Sequence, residues 1–243
     1  MKPFAPQDDA SEGPDFLEKG KGLYGGAGNM RRDRGHVSRL EHALLLDPFG
    51  DADARAQIDA FLRGPEPLEI EIGFGHGVFF FAHADAVRDR RLLGFEVKGR
   101  DCALLMNRLA ERGDAHARVI QADARPLFDS LLAPEQVTRI HINFPDPWWK
   151  KRHHKRRVFS SNFISLMHSR LTPGGCVAVR TDVADYAHLI EELIAQHGGF
   201  KQSPLASGSL APTWREKRCT AYGLPVHGML FEKRQPAKED EPS

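Results

Sequence analysis

Glycines and an acidic residue follow the first predicted strand, and together they could bind a nucleotide-like cofactor. Leu68–Ile72 alternates apolar and acidic residues, which predicts a strand. Glu71 lies near its end, and Gly73, Gly75 and Gly77 come directly after it, before an apolar stretch compatible with a helix. Glycine lets backbone N–H groups approach a ligand, and the N-terminus of the next helix adds favourable partial charge. Because such turns are common, this one alone is weak support for a ligand site.

Two further carboxylates end the next two predicted strands. Glu96 can accept hydrogen bonds from ribose hydroxyls, and Asp123 can accept one from an adenine amino group. One such residue is usually a solvated strand end, but three at successive strand ends favour a ligand site. The dinucleotide fingerprint would place its third glycine where this chain has Val78, so S-adenosylmethionine, which lacks a pyrophosphate, is favoured over NAD. The residues predicted to bind it are Glu71, Gly73, Gly75, Glu96 and Asp123.

A stiff aromatic loop follows the fourth predicted strand. Residues 143–148 read Asn-Phe-Pro-Asp-Pro-Trp, and each proline fixes its own φ and disfavours helix at the residue before it. Asp146 is therefore held at the sheet edge, beside Trp148 and Trp149. A planar base could stack on the tryptophans while the carboxylate accepts hydrogen bonds from its edge. The alternative is a structural turn with both tryptophans in the core.

A basic run comes directly after this loop. Six of the eight residues 150–157 are cationic, and a polyanion bound to them would bring a base to Asp146. The alternatives are a solvated face and a nuclear-localisation signal. His153 and His154 have no further ligand at suitable spacing, so no metal site is predicted. The residues predicted to contact phosphate are Lys151, Arg152, Lys155, Arg156 and Arg157.

Predicted strands and helices alternate along the chain. Strand patterns lie at residues 68–72, 91–97, 118–120, 139–144, 176–180, 200 and 229–231, and helical stripes lie at 78–87, 102–109, 163–171 and 183–194. Residues 172–175, Thr-Pro-Gly-Gly, are expected to end the third of these helices. The order predicts an α/β fold, with a doubly wound, mostly parallel seven-stranded sheet covered by helices on both faces. Ligands bind such sheets at the carboxyl ends of the strands.

The composition sets the class of protein. A chain of 243 residues with 41% hydrophobic content can bury one sizeable core, and its formal net charge of +1 does not by itself indicate a nucleic-acid partner. Three widely spaced cysteines disfavour disulfides and favour a cytoplasmic location. No apolar run reaches the roughly 18 residues of a membrane span. We expect no membrane partner, a monomer or homodimer, a disordered tail at 1–35, one domain at 36–234 and a frayed end at 235–243.

These motifs together resemble one known family, the tRNA (guanine-N7-)-methyltransferases, which are Rossmann-like class I methyltransferases. The resemblance covers roughly residues 66–234 and rests most strongly on the block 144–157, with weaker motifs at 71–75, 94–97, 122–124, 181–182 and 213–218. It implies methyl transfer from S-adenosylmethionine to N7 of a guanosine in the tRNA variable loop. Glu71, Glu96, Asp123 and Asp146 would contact the cofactor or its methyl group.

The resemblance also assigns the guanosine side of the site. It implies that the tRNA guanosine is bound by Lys150, Asp182, Thr213, Trp214, Arg215 and Glu216. The catalytic residue predicted from the chemistry is Asp146, because a fixed carboxylate would stabilise the purine as it becomes cationic. The family commonly has an aromatic residue in the third place of its Thr-x-x-Glu segment, and this chain has Arg215 there. Trp214 is the candidate to supply the ring instead. Residues 1–65 match the family poorly, so no role is transferred to them.

Two other functions stay open at this point. Enzymes that methylate exocyclic amines of RNA or DNA carry an Asn/Asp-Pro-Pro-aromatic turn after the fourth strand, to which residues 143–146 are similar. The inserted Asp146 and the attached basic run argue against this reading. A catalytically silent RNA-binding module is disfavoured because Glu71, Glu96 and Asp123 are all present.

Overall fold

Six parallel strands and an antiparallel pair form a single sheet. The computed structural model describes residues 45–46, 52–206 and 208–235. Along the sheet the strands lie in the order β1-β4-β3-β2-β5-β6-β8-β7, and β8 alone runs opposite to the other strands, antiparallel to its neighbours β6 and β7. The strands are β1 (Leu45–Leu46), β2 (Leu68–Ile72), β3 (Arg91–Glu96), β4 (Ala117–Gln121), β5 (Val137–Asn143), β6 (Leu171–Thr181), β7 (Phe200–Pro204) and β8 (His227–Lys233).

The predicted α/β class and mostly parallel sheet are confirmed, and one edge strand is added. Leu45 and Leu46 pair in parallel with Val119 and Ile120 of β4, which makes eight strands in place of the predicted seven. Two residues are too short to show a strand period in the sequence. The predicted tail at 1–35 and the end beyond residue 235 lie outside the described residues, and the single domain at 36–234 and the cytoplasmic location stay predictions.

Seven α-helices and one 3-10 helix are described. The α-helices are α1 (Ala52–Leu62), α2 (Val78–Ala86), α3 (Gly99–Arg112), α4 (Ala124–Leu131), α5 (Ser161–Arg170), α6 (Ala184–His197) and α7 (Trp214–Ala221), and the 3-10 helix is Lys151–Arg156. Three α-helices, α1, α4 and α7, were not predicted. Helix α7 buries only Cys219, so it has no apolar stripe, and α4 has eight residues with Pro126 in its first turn. None of the described helices is long and apolar enough to cross a membrane.

The boundary between α5 and β6 differs from its prediction. The helix ends at Arg170, and Leu171 already pairs with Val137 of β5, so the helical stripe through Leu171 and the stop at 172–175 were wrong. Residues 172–175 instead lie within β6, where the register against β5 shifts. The reason is that Leu171 is buried whether it ends a helix or begins a strand, so its burial does not distinguish the two.

The order of the strands reverses between β2 and β5. From β2 the chain adds β3 and β4 on one side, and from β5 it adds β6 on the other. One face of the sheet packs on α1, α4, α5 and α6, and the other face packs on α2 and α3. Ligands of open α/β sheets bind at the carboxyl ends of the strands where the order reverses. The residues after β2 and β5 therefore lie where a ligand is expected.

Candidate active site

A cleft of about 530 Å³ opens at this reversal point. That volume lies within the about 300–1,000 Å³ typical of small-molecule sites. Among the residues predicted to act, those that line it are Glu71, Gly73, Gly75, Glu96, Asp123, Asp146, Arg156, Thr213, Trp214 and Arg215. Those that do not are Lys150, Lys151, Arg152, Lys155, Arg157, Asp182 and Glu216. The structure thus brings the predicted cofactor residues together with Asp146 and most of the 213–216 segment.

The glycine turn after β2 depends on backbone angles that other residues rarely adopt. Gly73, Gly75 and Gly77 have φ values of 75°, 53° and 69°, all in the left-handed region. A Cβ on Gly77 would also come within 2.8 Å of Leu105, so this turn packs closely on α3. The turn therefore presents backbone to the cleft with no side chain from these three positions.

Glu96 holds this turn to the end of β3. Its Oε2 accepts from Gly75 N at 2.9 Å, and its Oε1 accepts from Val97 N and Lys98 N at 2.8 and 3.0 Å. A carboxylate has about four acceptor positions, and these three bonds leave room mainly on Oε2. Glu96 can therefore accept one ribose hydroxyl at Oε2 while it fixes the wall around it. The sequence alone suggested that it would accept two.

Asp123 is bound by its neighbour Arg125. Its Oδ1 accepts from Arg125 N and Nε at 3.0 Å each, and its Oδ2 accepts from the same guanidinium. Burial alone would raise the pKa of Asp123, but these hydrogen bonds and the positive charge hold its pKa below the usual range. Arg125 Nη1 also donates to Lys155 O at 2.6 Å. Arg125 thus connects Asp123 to the basic segment.

Glu71 is a buried carboxylate with one free oxygen. Its Oε1 accepts from Asn143 Nδ2 at 2.9 Å, and its Oε2 is buried without a hydrogen-bond partner. Burial raises the pKa of Glu71 to about 8, against the lowering effects of Asn143 and Arg180 and together with the negative charge of Glu96. An oxygen of this kind suits a cationic donor group of a bound molecule.

A second buried carboxylate lies two residues earlier, with two histidines. Glu69 Oε2 accepts from His83 Nε2 at 2.7 Å and His141 Nε2 at 2.8 Å, and Arg90 Nη1 binds its Oε1 at 2.9 Å. Glu69, His83 and His141 form the one cluster among the described residues whose side chains could together bind a metal ion. The distances from the two histidines to Glu69 are those of direct hydrogen bonds, and Arg90 supplies the positive charge beside the carboxylate. These contacts account for the cluster without a metal ion. Burial lowers the pKa of His141 to about 4, so this group joins β2, β5 and α2 through a neutral imidazole.

The loop after β5 has an unusual backbone at both of its ends. Phe144 and Trp148 have φ values of 51° and 43°, which cost energy for residues other than glycine. Phe144 N donates to Arg180 O at 2.7 Å, and Arg157 Nε donates to Pro147 O at 2.7 Å. The exposed Asp146 between these anchors faces the cleft. The loop is therefore held from β6 and from the end of the basic run.

The basic run does not act as a uniform surface. Lys151, Arg152, Lys155 and Arg156 are exposed on the 3-10 helix, while Arg157 is half-buried. The Arg156 guanidinium lies 5.0 Å from the Trp148 ring centre, and it lines the cleft. Arg157 is directed inward, onto the Pro147 carbonyl. Its contacts are those of a brace, although the sequence suggested a phosphate contact.

The residues proposed for the guanosine are already paired with one another and with α7. Arg215 Nε and Nη2 donate to Asp182 Oδ2 at 3.0 and 2.6 Å. Thr213 caps α7 by accepting from Glu216 N at 2.9 Å, and Glu216 Oε2 accepts from Thr213 N at 3.2 Å, which completes a capping box. Asp182 Oδ1 and Glu216 Oε1 remain as acceptors for a substrate. Arg215 thus orients Asp182 where the family commonly has an aromatic ring.

Three residues of this site were missed from the sequence. Asn143 and Arg180 connect Glu71 to Glu216, and Arg125 connects Asp123 to the basic segment. The signal for Arg180 was present, because an arginine inside the apolar strand pattern 176–180 is buried only with partners. Arg125 lies two residues after the predicted ligand Asp123, but nothing in the sequence indicated its partners.

Comparison with solved structures gives the class of protein. The 16S rRNA methyltransferase KamB aligns with a TM-score of 0.53 at 14% identity over 76% of this chain and 94% of KamB. The aminoglycoside resistance methyltransferase NpmB1 aligns with a TM-score of 0.52 at 14% identity over 74% of this chain and 93% of NpmB1. These alignments show that this chain has the Rossmann-like fold of class I methyltransferases.

Sequence relatives give the family within that class. The family model described as "Putative methyltransferase" matches residues 65–227. A tRNA (guanine-N(7)-)-methyltransferase from Cutibacterium acnes is 37% identical, over 81% of this chain and 76% of the relative. Proteins of the same name from Dechloromonas aromatica and Thiobacillus denitrificans are 33% and 42% identical, over 93% and 73% of this chain and 96% and 80% of their own lengths. The chain belongs to the tRNA (guanine-N7-)-methyltransferase family.

Proposed function

We propose that this enzyme transfers the methyl group of S-adenosylmethionine to N7 of a guanosine in the variable loop of tRNA. The observation that carries the proposal is the position of Asp146. It lies in a strained loop at the cleft, between the buried carboxylates after β2 and β3 and the exposed cations of the 3-10 helix. The names of the relatives support the same substrate and the same acceptor atom.

The carboxylates at the strand ends fit the cofactor. When bound, S-adenosylmethionine supplies a methyl group activated by a sulfonium. Glu71 Oε2 is a buried acceptor without a protein partner, so it suits an ammonium or sulfonium. Glu96 Oε2 can accept from a ribose hydroxyl, and Asp123, which lines the same cleft, is assigned to the adenine amino group.

Asp146 is assigned an electrostatic role. N7 of guanine carries a lone pair and no proton, so its attack needs no general base. The purine becomes cationic as it gains the methyl group, and a fixed carboxylate stabilises that charge more in the transition state than in the ground state. Because the loop is anchored by Arg157 and by Arg180 O, Asp146 is positioned before the substrate arrives. Alignment of this kind contributes on the order of 7–11 kcal/mol in favourable cases.

The guanosine is assigned to the surface between β6 and α7. Asp182 and Glu216 each keep one carboxylate oxygen that can accept from the Watson–Crick edge, and Trp214, 42% exposed at the cleft, offers a ring for stacking. Lys150 follows the loop and is exposed, so it can bind phosphate or the base edge. The exposed cations Lys151, Arg152, Lys155 and Arg156 would hold tRNA phosphates without reading sequence.

Nucleoside analysis of unmodified tRNA tests this proposal directly. The protein and S-adenosylmethionine are incubated with a tRNA transcript, which is then digested and resolved by mass spectrometry, and fragments are mapped to find the modified position. We expect 7-methylguanosine in the variable loop. A matched transcript containing 7-deazaguanosine lacks the acceptor nitrogen and should gain no methyl group.

The other outcomes separate the alternatives. Formation of 6-methyladenosine would replace the proposal with exocyclic-amine methylation. Binding of S-adenosylmethionine and tRNA with no methylated product would indicate a silent RNA-binding module. 7-Methylguanosine at another position would retain the acceptor atom and reject the variable loop.

A further inference from the structure

One buried arginine connects Glu71, which lines the cleft, to Glu216, which lies outside it. Arg180 lies near the end of β6 with 3% of its surface exposed. On the cofactor side, its Nε donates to Asn143 Oδ1 at 2.8 Å, and Asn143 Nδ2 donates to Glu71 Oε1 at 2.9 Å. Because an amide has one donor end and one acceptor end, Asn143 transmits the position of the guanidinium to the Glu71 carboxylate.

The same guanidinium binds the segment assigned to the guanosine. Arg180 Nη1 donates to Glu216 Oε2 at 2.6 Å and to Ala211 O at 2.9 Å. These contacts lie directly before and within the first turn of α7, where the capping box of Thr213 and Glu216 fixes the start of the helix. One rigid planar group therefore sets the position of α7 relative to β5.

Arg180 is the positive neighbour that Glu71 and Glu216 share. Burial lowers its pKa, and the negative charges of Glu216 and Glu71 oppose that shift. Its guanidinium also packs 4.9 Å from the Phe79 ring centre, and its Nη2 is buried without a partner. Without this cation, the buried Glu71 and the half-buried Glu216 would lose their shared positive neighbour. Loss of the cation would remove the Nη1 partner of Glu216 and would raise the pKa of Glu71 further.

We propose that Arg180 is a positioning residue that fixes the distance between the cofactor carboxylate Glu71 and the guanosine-binding residue Glu216. It touches neither ligand in this account, which rests on the proposed function. Its loss would let α7 and the loop after β5 move independently. A misplacement of about 1 Å is enough to cost about 100-fold in rate. The effect would therefore appear in turnover more than in the affinity for either ligand.

A double-mutant cycle tests this role. Arg180→Met, Glu216→Gln and the double variant are compared with the wild-type protein for kcat on tRNA, KM for tRNA and Kd for S-adenosylmethionine. We expect Arg180→Met to lower kcat by about 10–100-fold and each affinity by less. In that background Glu216→Gln should have little further effect, because the geometry it depends on is already lost. Arg180→Lys keeps the charge and should restore part of kcat.

Arg91→Met is the matched control. Arg91 is also buried, at 8% exposure, but its guanidinium binds the Phe61 and Glu66 carbonyls at the opposite end of the sheet. It should lower the melting temperature while kcat of the folded protein stays near the wild-type value. If Arg180→Met does not fold, the cycle is run with Arg180→Lys, which should still couple to Glu216→Gln.

The result that would overturn the inference is a folded Arg180 variant with unchanged kcat. Multiplicative effects of Arg180 and Glu216 substitutions would overturn it as well, because independent residues do not couple. A wild-type protein that makes no 7-methylguanosine would instead refute the proposed function, so the two failures are distinguishable.

Discussion

The two ends of the cleft are built in different ways. At the cofactor end, Glu96 accepts from its chain neighbours Val97 and Lys98 and from Gly75, 21 residues before it. Asp123 is held by Arg125, two residues later. At the guanosine end, Asp182 and Glu216 are held by Arg215 and Arg180, which are 33 and 36 residues away from them in the chain. The first end thus combines contacts between near neighbours in the chain with one across 21 residues, whereas both carboxylates of the second end are held by arginines from distant elements.

The cations of the basic run also differ in whether they contact other elements or solvent. Arg157 braces Pro147, while Lys155, two residues earlier in the same run, is exposed. We therefore infer that the basic segment has two roles. Arg157 holds the reacting loop in place, and exposed cations such as Lys155 bind tRNA.

The largest effect is expected at Asp146. Asp146→Asn keeps the size of the side chain and removes the negative charge that would stabilise the cationic purine. By analogy with loss of one preorganised electrostatic contact, kcat should fall by about 10²–10³-fold. The Kd of S-adenosylmethionine, measured by calorimetry, should change little. A comparable loss in both quantities would place Asp146 in cofactor binding alone.

The next effect is expected at the cofactor end. Glu96→Ala removes the acceptor of Gly75, Val97 and Lys98 N–H groups as well as one ribose contact. With a charged hydrogen bond worth about 1.5–3 kcal/mol, affinity for S-adenosylmethionine should fall by about 100-fold. Asp101→Asn is the control, because Asp101 contacts the nearby exposed His76 without lining the cleft. Equal losses in the two variants would contradict the assignment.

A smaller effect concerns stability against pH. Burial raises the pKa of Glu71 from 4.5 to about 8, so the folded chain binds this proton more tightly than the unfolded chain. The resulting stability is fully present below about pH 4.5 and is lost as pH rises through about 8. As pH rises from about 4.5 to 8, the melting temperature of Glu71→Gln should therefore fall less than that of the wild type.

The difference between the melting temperatures of the wild type and Glu71→Gln, measured against pH, isolates the contribution of Glu71 from those of its neighbours. His141, the register partner of Glu71 on β5, has its pKa lowered to about 4, so its contribution rises with pH between about 4 and 6.5. That contribution is expected in both proteins and cancels in the difference. A difference in melting temperature that stays constant with pH would show that folding does not raise the pKa of Glu71.

The sequence predicted which residues meet at the cofactor end of the cleft because their signals are local. Glu71, the glycines, Glu96 and Asp123 each follow a strand whose period is visible, and parallel strands bring their carboxyl ends together. Helices α4 and α7 were missed because one is short and the other buries a single residue. The α/β class could be predicted because strand and helix patterns of hydrophobic residues alternate along the chain.

The guanosine end could be predicted only in part. Arg157 and Lys155 have the same charge and nearly the same position in the chain, so no pattern separates the brace from the free cation. Arg215 was visible as a departure from the family, but its partner Asp182 lies on another element. Which cation reaches which carboxylate depends on how β6 and α7 pack, and periodicity does not encode it.

The contrast between Lys155 and Arg157 tests the central claim most directly. tRNA affinity across salt concentrations and single-turnover methylation are measured for Lys155→Ala and Arg157→Met. We expect Lys155→Ala to weaken tRNA binding a few-fold and to reduce the salt slope by about one, with little change in the single-turnover rate. Arg157→Met should lower that rate by about tenfold and leave the slope unchanged, because the reacting loop loses its brace. If both variants reduced the salt slope equally with unchanged rates, the basic segment would be a uniform phosphate surface and the claim would be wrong.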